Sequence, residues 1–261
     1  MAFSPGGEFF LTGGSDGTVQ VWNRETRKLE RKLVQHKDSV GALAYSPDGK
    51  FIATGSKDRT AWLWGAKTGP PIPLFVSQQQ EICAVAFSPD SQTIVTGDAG
   101  GGVRLFEAET GKPASDQHLQ RGAIIWAVAF SPDGRMVLTG SGDGYQMRGE
   151  ARLWDVPPVK SPGSPVPTVK PLGPPLPHHD LVFAVAFNPT GEYILTGSRD
   201  RTARLWRIPT PVEGDVERVV LWTQVITGLE LDNEGTVHVL DAPIWRQRGK
   251  RLEELGGPPV P

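Results

Sequence analysis

The sequence predicts an all-β fold built from repeated, stacked sheets, and three observations carry that prediction. Thirty-one glycines and 24 prolines are spread over 261 residues, a turn-dense composition that argues against a helical bundle. The triplet Phe-Ser-Pro stands at Phe3, Phe87 and Phe130, with close variants at Tyr45-Ser46-Pro47 and Phe187-Asn188-Pro189. After each comes a short apolar run and then Thr-Gly, at Thr12, Thr54, Thr96, Thr139 and Thr196, in steps of 42, 42, 43 and 57 residues. Self-similarity at such a period marks units that bury their faces against one another.

Within one unit the elements follow in order. Val182–Phe187 is short, apolar and β-prone, and Asn188-Pro-Thr-Gly191 closes it. Glu192–Thr196 is the second strand, Gly197–Arg201 the turn and Thr202–Trp206 the third strand, followed by a looser segment. Proline and glycine at these places forbid one continuous helix. Four residues after the threonine comes Asp16, Asp58, Asp143 or Asp200, with Gly100 in the third copy. A ring follows: Trp22, Trp64, Phe106, Trp154 and Trp206. The aspartate-to-tryptophan distance is 6 in copies one, two and five but 11 in the fourth, so five residues are inserted there, within Tyr145 to Glu150. A unit of three or four strands cannot bury both faces alone, and evenly spaced strands with one aromatic signature per unit read as propeller blades.

Over residues 1–207 this pattern resembles the WD40-repeat family. The resemblance implies a β-propeller with five recognisable blades and a partial sixth, an incomplete ring, and a short C-terminal helix. It also implies a tetrad in each blade: a histidine before the first strand, a Ser/Thr on the second, the turn aspartate and the third-strand tryptophan. Two copies match fully, with His36, Thr54, Asp58 and Trp64, and with His178, Thr196, Asp200 and Trp206. Copy one supplies Thr12, Asp16 and Trp22; copy four supplies Thr139, Asp143 and Trp154 but has Arg121 at the histidine place. Copy three keeps only Thr96, beside Gln78, Gly100 and Phe106. These residues are expected to hold the blades together, since a buried aspartate needs partners.

The expected blades run at about 1–35, 36–77, 78–120, 121–177 and 178–222, with the partial sixth at 223–241 and a helix and tail at 242–261. Arg218–Trp222 reads as the outer strand of blade five, and Val225–Leu231 and Thr236–Leu240 as two strands of the sixth. Asp241 caps the final helix, with Pro243 in its first turn and Gly256-Gly257-Pro258-Pro259 at its end. Met1-Ala-Phe-Ser-Pro aligns with the end of a first strand, so the expectation is the C-terminal part of a longer propeller or a truncated gene product. Its open faces and edges invite self-association. Thr227–Asp232 and Leu252–Pro259 are similar to the ends of long bacterial WD40 proteins, many of which carry a serine/threonine kinase domain upstream.

Composition narrows the function. Twenty-seven basic residues against 29 acidic leave a net charge of −2, with no global field for nucleic acid or an anionic membrane. The single cysteine, Cys83, excludes an intrachain disulfide and a multi-cysteine zinc site. Met1 is not followed by a basic start and an apolar stretch, and the longest largely apolar run, Gly122–Phe130, falls far short of a membrane helix. The expectation is a soluble cytoplasmic chain. Gly13-Gly-Ser-Asp-Gly17 matches the form of a nucleophile elbow, but it lies between two strands where the elbow needs a strand and a helix. His178-His179-Asp180 lacks further ligands for zinc. The prolines between Pro157 and Pro177 read either as a polyproline ligand or as a stiff loop. Arg246, Arg248, Lys250 and Arg251 sit with Glu253 and Glu254 on an amphipathic helix whose apolar side is Trp245, Leu252 and Leu255.

The expected function is therefore a non-enzymatic scaffold for protein partners, with no cofactor or metal implied. In resembling propellers the residue at the opening of each first strand, and the one before the turn aspartate, face the mouth of the channel. Carried over, these are Gly41, Cys83, Trp126 and Phe183, with Lys57 and Arg199 beside them. Trp126, Phe183, Lys57 and Arg199 are the candidate partner-binding rim, against the alternative that the two rings only pack between blades. Two rival functions stand beside the scaffold: the sensor end of a bacterial signalling protein such as a serine/threonine kinase, and a propeller hydrolase with its site at the channel mouth.

Overall fold

The computed structural model describes residues 1–74, 80–118, 123–143, 148–156, 169–208, 216–231 and 237–258. Gln78, Arg121, positions 145–147 of the insertion in copy four, positions 157–168 of the proline-rich stretch and the Asn233-Glu-Gly235 turn lie outside the described residues. The chain divides into two compact units, 1–208 and 209–261.

The first unit holds five antiparallel sheets in chain order. Sheet one is β1 (Ala2–Phe3), β2 (Phe9–Gly13), β3 (Thr18–Asn23) and β4 (Leu29–Val34). Sheet two is β5 (Val40–Tyr45), β6 (Phe51–Ser56), β7 (Ala61–Gly65) and β8 (Ile72–Leu74). Sheet three is β9 (Ile82–Phe87), β10 (Thr93–Asp98), β11 (Gly102–Glu107) and β12 (Pro113–His118). Sheet four is β13 (Ile124–Phe130), β14 (Met136–Asp143), β15 (Arg148–Asp155) and β16 (Lys170–His178). Sheet five has three strands, β17 (Val182–Phe187), β18 (Tyr193–Ser198) and β19 (Ala203–Arg207). Each strand pairs with its chain neighbour, as short turns dictate.

The turn chemistry explains the repeated Ser-Pro-Asp-Gly. The Ser46 hydroxyl donates to Asp48 at 2.6 Å and accepts from the Phe51 N–H at 2.9 Å, while Gly49 takes φ 72°. Glycine adopts that backbone most readily, and in copy three Ser91 takes φ 61° at the same place.

Four apolar cores lie between the five sheets. Leu11, Val19 and Val21 of the first pack on Val40, Ile52 and Trp64 of the second. Ala53, Ala61 and Leu63 then meet Ile82, Ile94 and Phe106, and Val95, Val103 and Leu105 meet Ile125, Val137 and Trp154. Leu138, Ala151 and Leu153 cover Val182 and Ile194. The glycine after each blade threonine permits this approach. A Cβ on Gly13 would lie 2.4 Å from the Val40 carbonyl, and one on Gly97 would lie 2.5 Å from the Ile125 side chain.

Two expectations are corrected. The described end of the proline-rich stretch is neither a free ligand nor a loop: Lys170–His178 is the outer strand of sheet four, paired with β15. Proline suits an outer strand, where its missing N–H need not join a ladder. The second correction concerns Arg218–Trp222, expected as the outer strand of blade five. It lies inside α1 (Val216–Thr227), in the second compact unit. A strand needs a partner ladder, whereas this segment packs as a helix against α2. The Arg218 guanidinium donates to the carbonyls of Gly257 and Pro258, each at 2.8 Å, and the Trp245 indole donates to the Val225 carbonyl at 2.8 Å.

The two strands expected after it are shorter than predicted. β20 (Leu229–Leu231) and β21 (Val237–Val239) pair with each other as a two-stranded sheet. The final helix, α2 (Ala242–Glu254), begins as expected: the Asp241 carboxylate accepts from the Ile244 N–H at 2.8 Å. Leu252 is its buried residue, whereas Trp245 is exposed. Arg248 and Arg251 are engaged by Glu230 and Glu217 at 2.7 and 3.1 Å.

Candidate partner-binding rim

The tetrads fix the frame on which the rim stands. In blade two, His36 Nδ1 lies 3.1 Å from Asp58 Oδ2 and Nε2 lies 2.8 Å from Thr54 Oγ1. A carboxylate only accepts, so Nδ1 carries the proton and Nε2 accepts from the Thr54 hydroxyl. The Trp64 indole donates to that same oxygen at 3.0 Å. Blade five repeats the arrangement, with His178–Asp200 at 3.0 Å, His178–Thr196 at 2.7 Å and Trp206–Thr196 at 2.9 Å. In blades one and four, Trp22 donates to Thr12 at 3.0 Å and Trp154 to Thr139 at 2.9 Å. Asp16 accepts from the Thr18 hydroxyl and N–H; Asp143 closes β14 opposite Arg148.

Burial shapes the charges. It pushes the His36 imidazole below its ordinary pKa, against the pull of Asp58. Burial works to raise Asp58, but the Thr60 hydroxyl, the Lys37 and Thr60 N–H groups and His36 outweigh it and hold the carboxyl low. Asp200 is held well below the usual range, first by the Thr202 hydroxyl and then by His178 and backbone N–H groups.

Blade three departs from the rest, and sequence reading missed how. Asp98, two residues after Thr96, takes over from the missing turn aspartate. It accepts from the Gly100 and Gly102 N–H groups at 2.8 Å each and pairs with Arg104 at 2.8 Å, both side chains buried. The signal was an aspartate where other blades carry Gly14, Ser56, Ser141 or Ser198. With Phe106 in place of tryptophan, the buried Thr96 hydroxyl has no hydrogen-bond partner among the described residues. Arg152 and Arg204, at the matching positions, pair with Glu150 at 3.2 Å and Asp200 at 3.6 Å.

The four first-strand positions carried over to the channel mouth share one backbone device. Gly41, Cys83, Trp126 and Phe183 each stand at a register shift in the pairing of the first two strands of their blade. A bulge leaves one residue unpaired and re-aims its side chain. Trp126 and Phe183, on neighbouring blades, meet edge to face at 5.2 Å and 77°. Phe183 is 47% exposed, and the buried Trp126 Nε1 has no hydrogen-bond partner among the described residues.

The cations stand apart from this pair. Lys57 and Arg199 are anchored alike, their N–H groups donating to Ser39 and Leu181 carbonyls at 3.0 and 2.8 Å. Both side chains are exposed, but Arg199 reaches Asp180 at 3.8 Å and neither stacks on the aromatic pair. The Cys83 thiol is pushed up to about 11 by burial, Glu81 and Asp98, with Lys57 pulling the other way. At neutral pH this keeps it mainly as the protonated thiol.

No catalytic constellation is built from the described residues considered at sequence level. Gly13-Gly-Ser-Asp-Gly17 runs from β2 into β3, and His178 is engaged by Asp200 and Thr196. Among the described residues, no group of three or more His, Cys, Asp or Glu side chains is placed to hold a metal ion. Nor is any described helix long and apolar enough to cross a membrane.

Stacked antiparallel sheets, one per sequence repeat and four of the five locked by a threonine–tryptophan bond, define a repeat protein of propeller blades. The family model for the WD domain, G-beta repeat, matches residues 1–23, 27–65, 70–107, 114–145 and 170–207. The chain belongs to the WD40-repeat family. It is also similar over 51 residues to proteins named ribosome biogenesis protein BOP1 homolog, at 39% identity in Aedes aegypti, 37% in Culex quinquefasciatus and 45% in Drosophila grimshawi. Each match covers 17% of this chain and 6% of the relative.

Proposed function

We propose that the chain is a non-enzymatic cytoplasmic platform that binds protein partners through the rim at Trp126 and Phe183. The observation that carries this reading is the bulge-presented aromatic pair, with a half-exposed phenyl ring and a buried indole N–H that has no acceptor among the described residues. An apolar side chain of a partner would cover the exposed Phe183 ring, which Trp126 backs edge to face. Such an aromatic anchor is how a binding hot spot is built. The hydrolase reading loses support because both tetrad histidines are committed to aspartate and threonine. A regulatory role at the end of a larger bacterial signalling protein draws its support from the separate unit 209–261 and its tail motifs, although the named relatives are eukaryotic.

The test is a display selection of random peptides on the immobilised chain, followed by calorimetry on the selected peptide. Phe183→Ala and Trp126→Phe should each weaken binding by about tenfold or more. Unchanged affinity in both variants rejects the rim as the site.

A further inference from the structure

We infer that the exposed face of the fifth blade is a docking site for blade one of a second copy of this chain. The molecule itself shows what such a face is built to receive. Leu195 is the counterpart, one residue before the blade threonine, of Leu11, Ala53, Val95 and Leu138, all of which are fully buried by the following blade. Leu195 is 49% exposed. Leu205 is the counterpart of Val21, Leu63, Leu105 and Leu153, none more than 7% exposed, yet it is 68% exposed.

The glycine next to Leu195 points the same way. On Gly13, Gly55, Gly97 and Gly140 a Cβ would come within 2.9 Å of the next blade, so each is required by a neighbour. On Gly197 a Cβ would meet only Ala184 of its own sheet, at 3.5 Å. Blade five thus keeps a clearance that no described neighbour uses.

The occupant follows from the four internal interfaces. What lies against this face each time is the tetrad side of a blade: Ile52 and Trp64, Ile94 and Phe106, Val137 and Trp154, or Ile194 and Trp206. Blade one presents the same side uncovered. Phe10 and Trp22 stack at 6.2 Å and 10°, both only partly buried, and Phe3 beside them is 67% exposed. Each copy therefore carries both halves of one blade-to-blade interface on different blades. The contact is heterologous, head to tail, and continues the stacking already present inside the chain.

Light scattering of the full chain across a concentration series tests this. The mass should rise above 28.2 kDa with concentration. Leu205→Asp and Phe3→Asp place a charge in the interface and should each weaken association on the order of a hundredfold. Gly197→Ala, which fits its own blade, should weaken it on the order of tenfold by blocking close approach. Mixing Leu205→Asp with Phe3→Asp should restore a species of twice the chain mass, because each supplies the face the other lacks. Circular dichroism melts matching wild type would show that the variants fold. A wild-type mass fixed at 28.2 kDa overturns the proposal. So does association that survives Leu205→Asp and Gly197→Ala, or a mixture that stays monomeric.

Discussion

Replacing the blade threonines one at a time separates a hydroxyl that holds a blade together from one that does not. In blade two, Thr54→Val keeps shape and volume but removes the oxygen that accepts from Trp64 and the proton that His36 takes. Both partners are buried and have no water to turn to. Each of the two stranded polar groups costs about 1–3 kcal/mol, so the loss should be about 2–6 kcal/mol. For a unit of this size that corresponds to a fall of about 4–24 °C in melting temperature. In blade three, Thr96→Val removes a hydroxyl that already lacks a partner among the described residues, against a phenyl ring that donates nothing. The change should lie between about zero and 1 kcal/mol of stabilisation, because a buried unpaired hydroxyl is itself a cost. Urea denaturation followed by circular dichroism measures both, with an unchanged slope confirming that stability alone has moved. If Thr96→Val costs as much as Thr54→Val, the reasoning fails, and the oxygen of blade three must have a partner.

Two further outcomes follow from the buried charges. His36 titrates lower in the folded chain than its ordinary 6.5, so the unfolded chain binds more protons as pH falls. That contribution to stability is complete above about pH 6.5 and is lost below it. Asp58 and Asp200 are also lowered from 3.8, so theirs is complete above about pH 4 and is lost on further acidification. The melting temperature should therefore fall in two stages from pH 7.5 to pH 3, and a rise or a flat profile contradicts the assignment. In blade three, Arg104→Met should destabilise by about 3–5 kcal/mol, because it leaves Asp98 charged and buried. The double change with Asp98→Ser, the residue of blades two, four and five, should recover most of that in the same urea assay, and no recovery would break the proposed pairing.

The blades were legible because their determinants are local and repeated. Each turn, each Thr-Gly and each ring residue sits within about one strand of the next, and five copies average out the exceptions. Asp98 escaped notice because it replaces a lost residue from a different position, a compensation that no spacing rule anticipates. The rim was legible as positions, but not as a pair. The register shifts at Trp126 and Phe183 belong to strand pairing, and the contact joins residues 57 apart in the sequence.

Residues 216–227 show where local reading stops. Val216, Val219, Val220, Val225 and Ile226 are β-branched, which favours a strand by intrinsic preference. A helix formed because its anchors lie far along the chain: Arg218 on the carbonyls beyond α2, Glu217 on Arg251, and the Val225 carbonyl on Trp245. Exposed positions recur at Glu217, Val220, Thr223 and Ile226, a spacing of three that a helix accommodates and a strand does not. Two of those four are apolar, so binary patterning hid the period. The preference for strand also lost its usual reward. A strand after β19 has to complete the ladder of blade five, whereas α1 buries its other side against α2. Where a repeat ends, the local code for another strand remains in the sequence, and the partner that is present decides which structure forms.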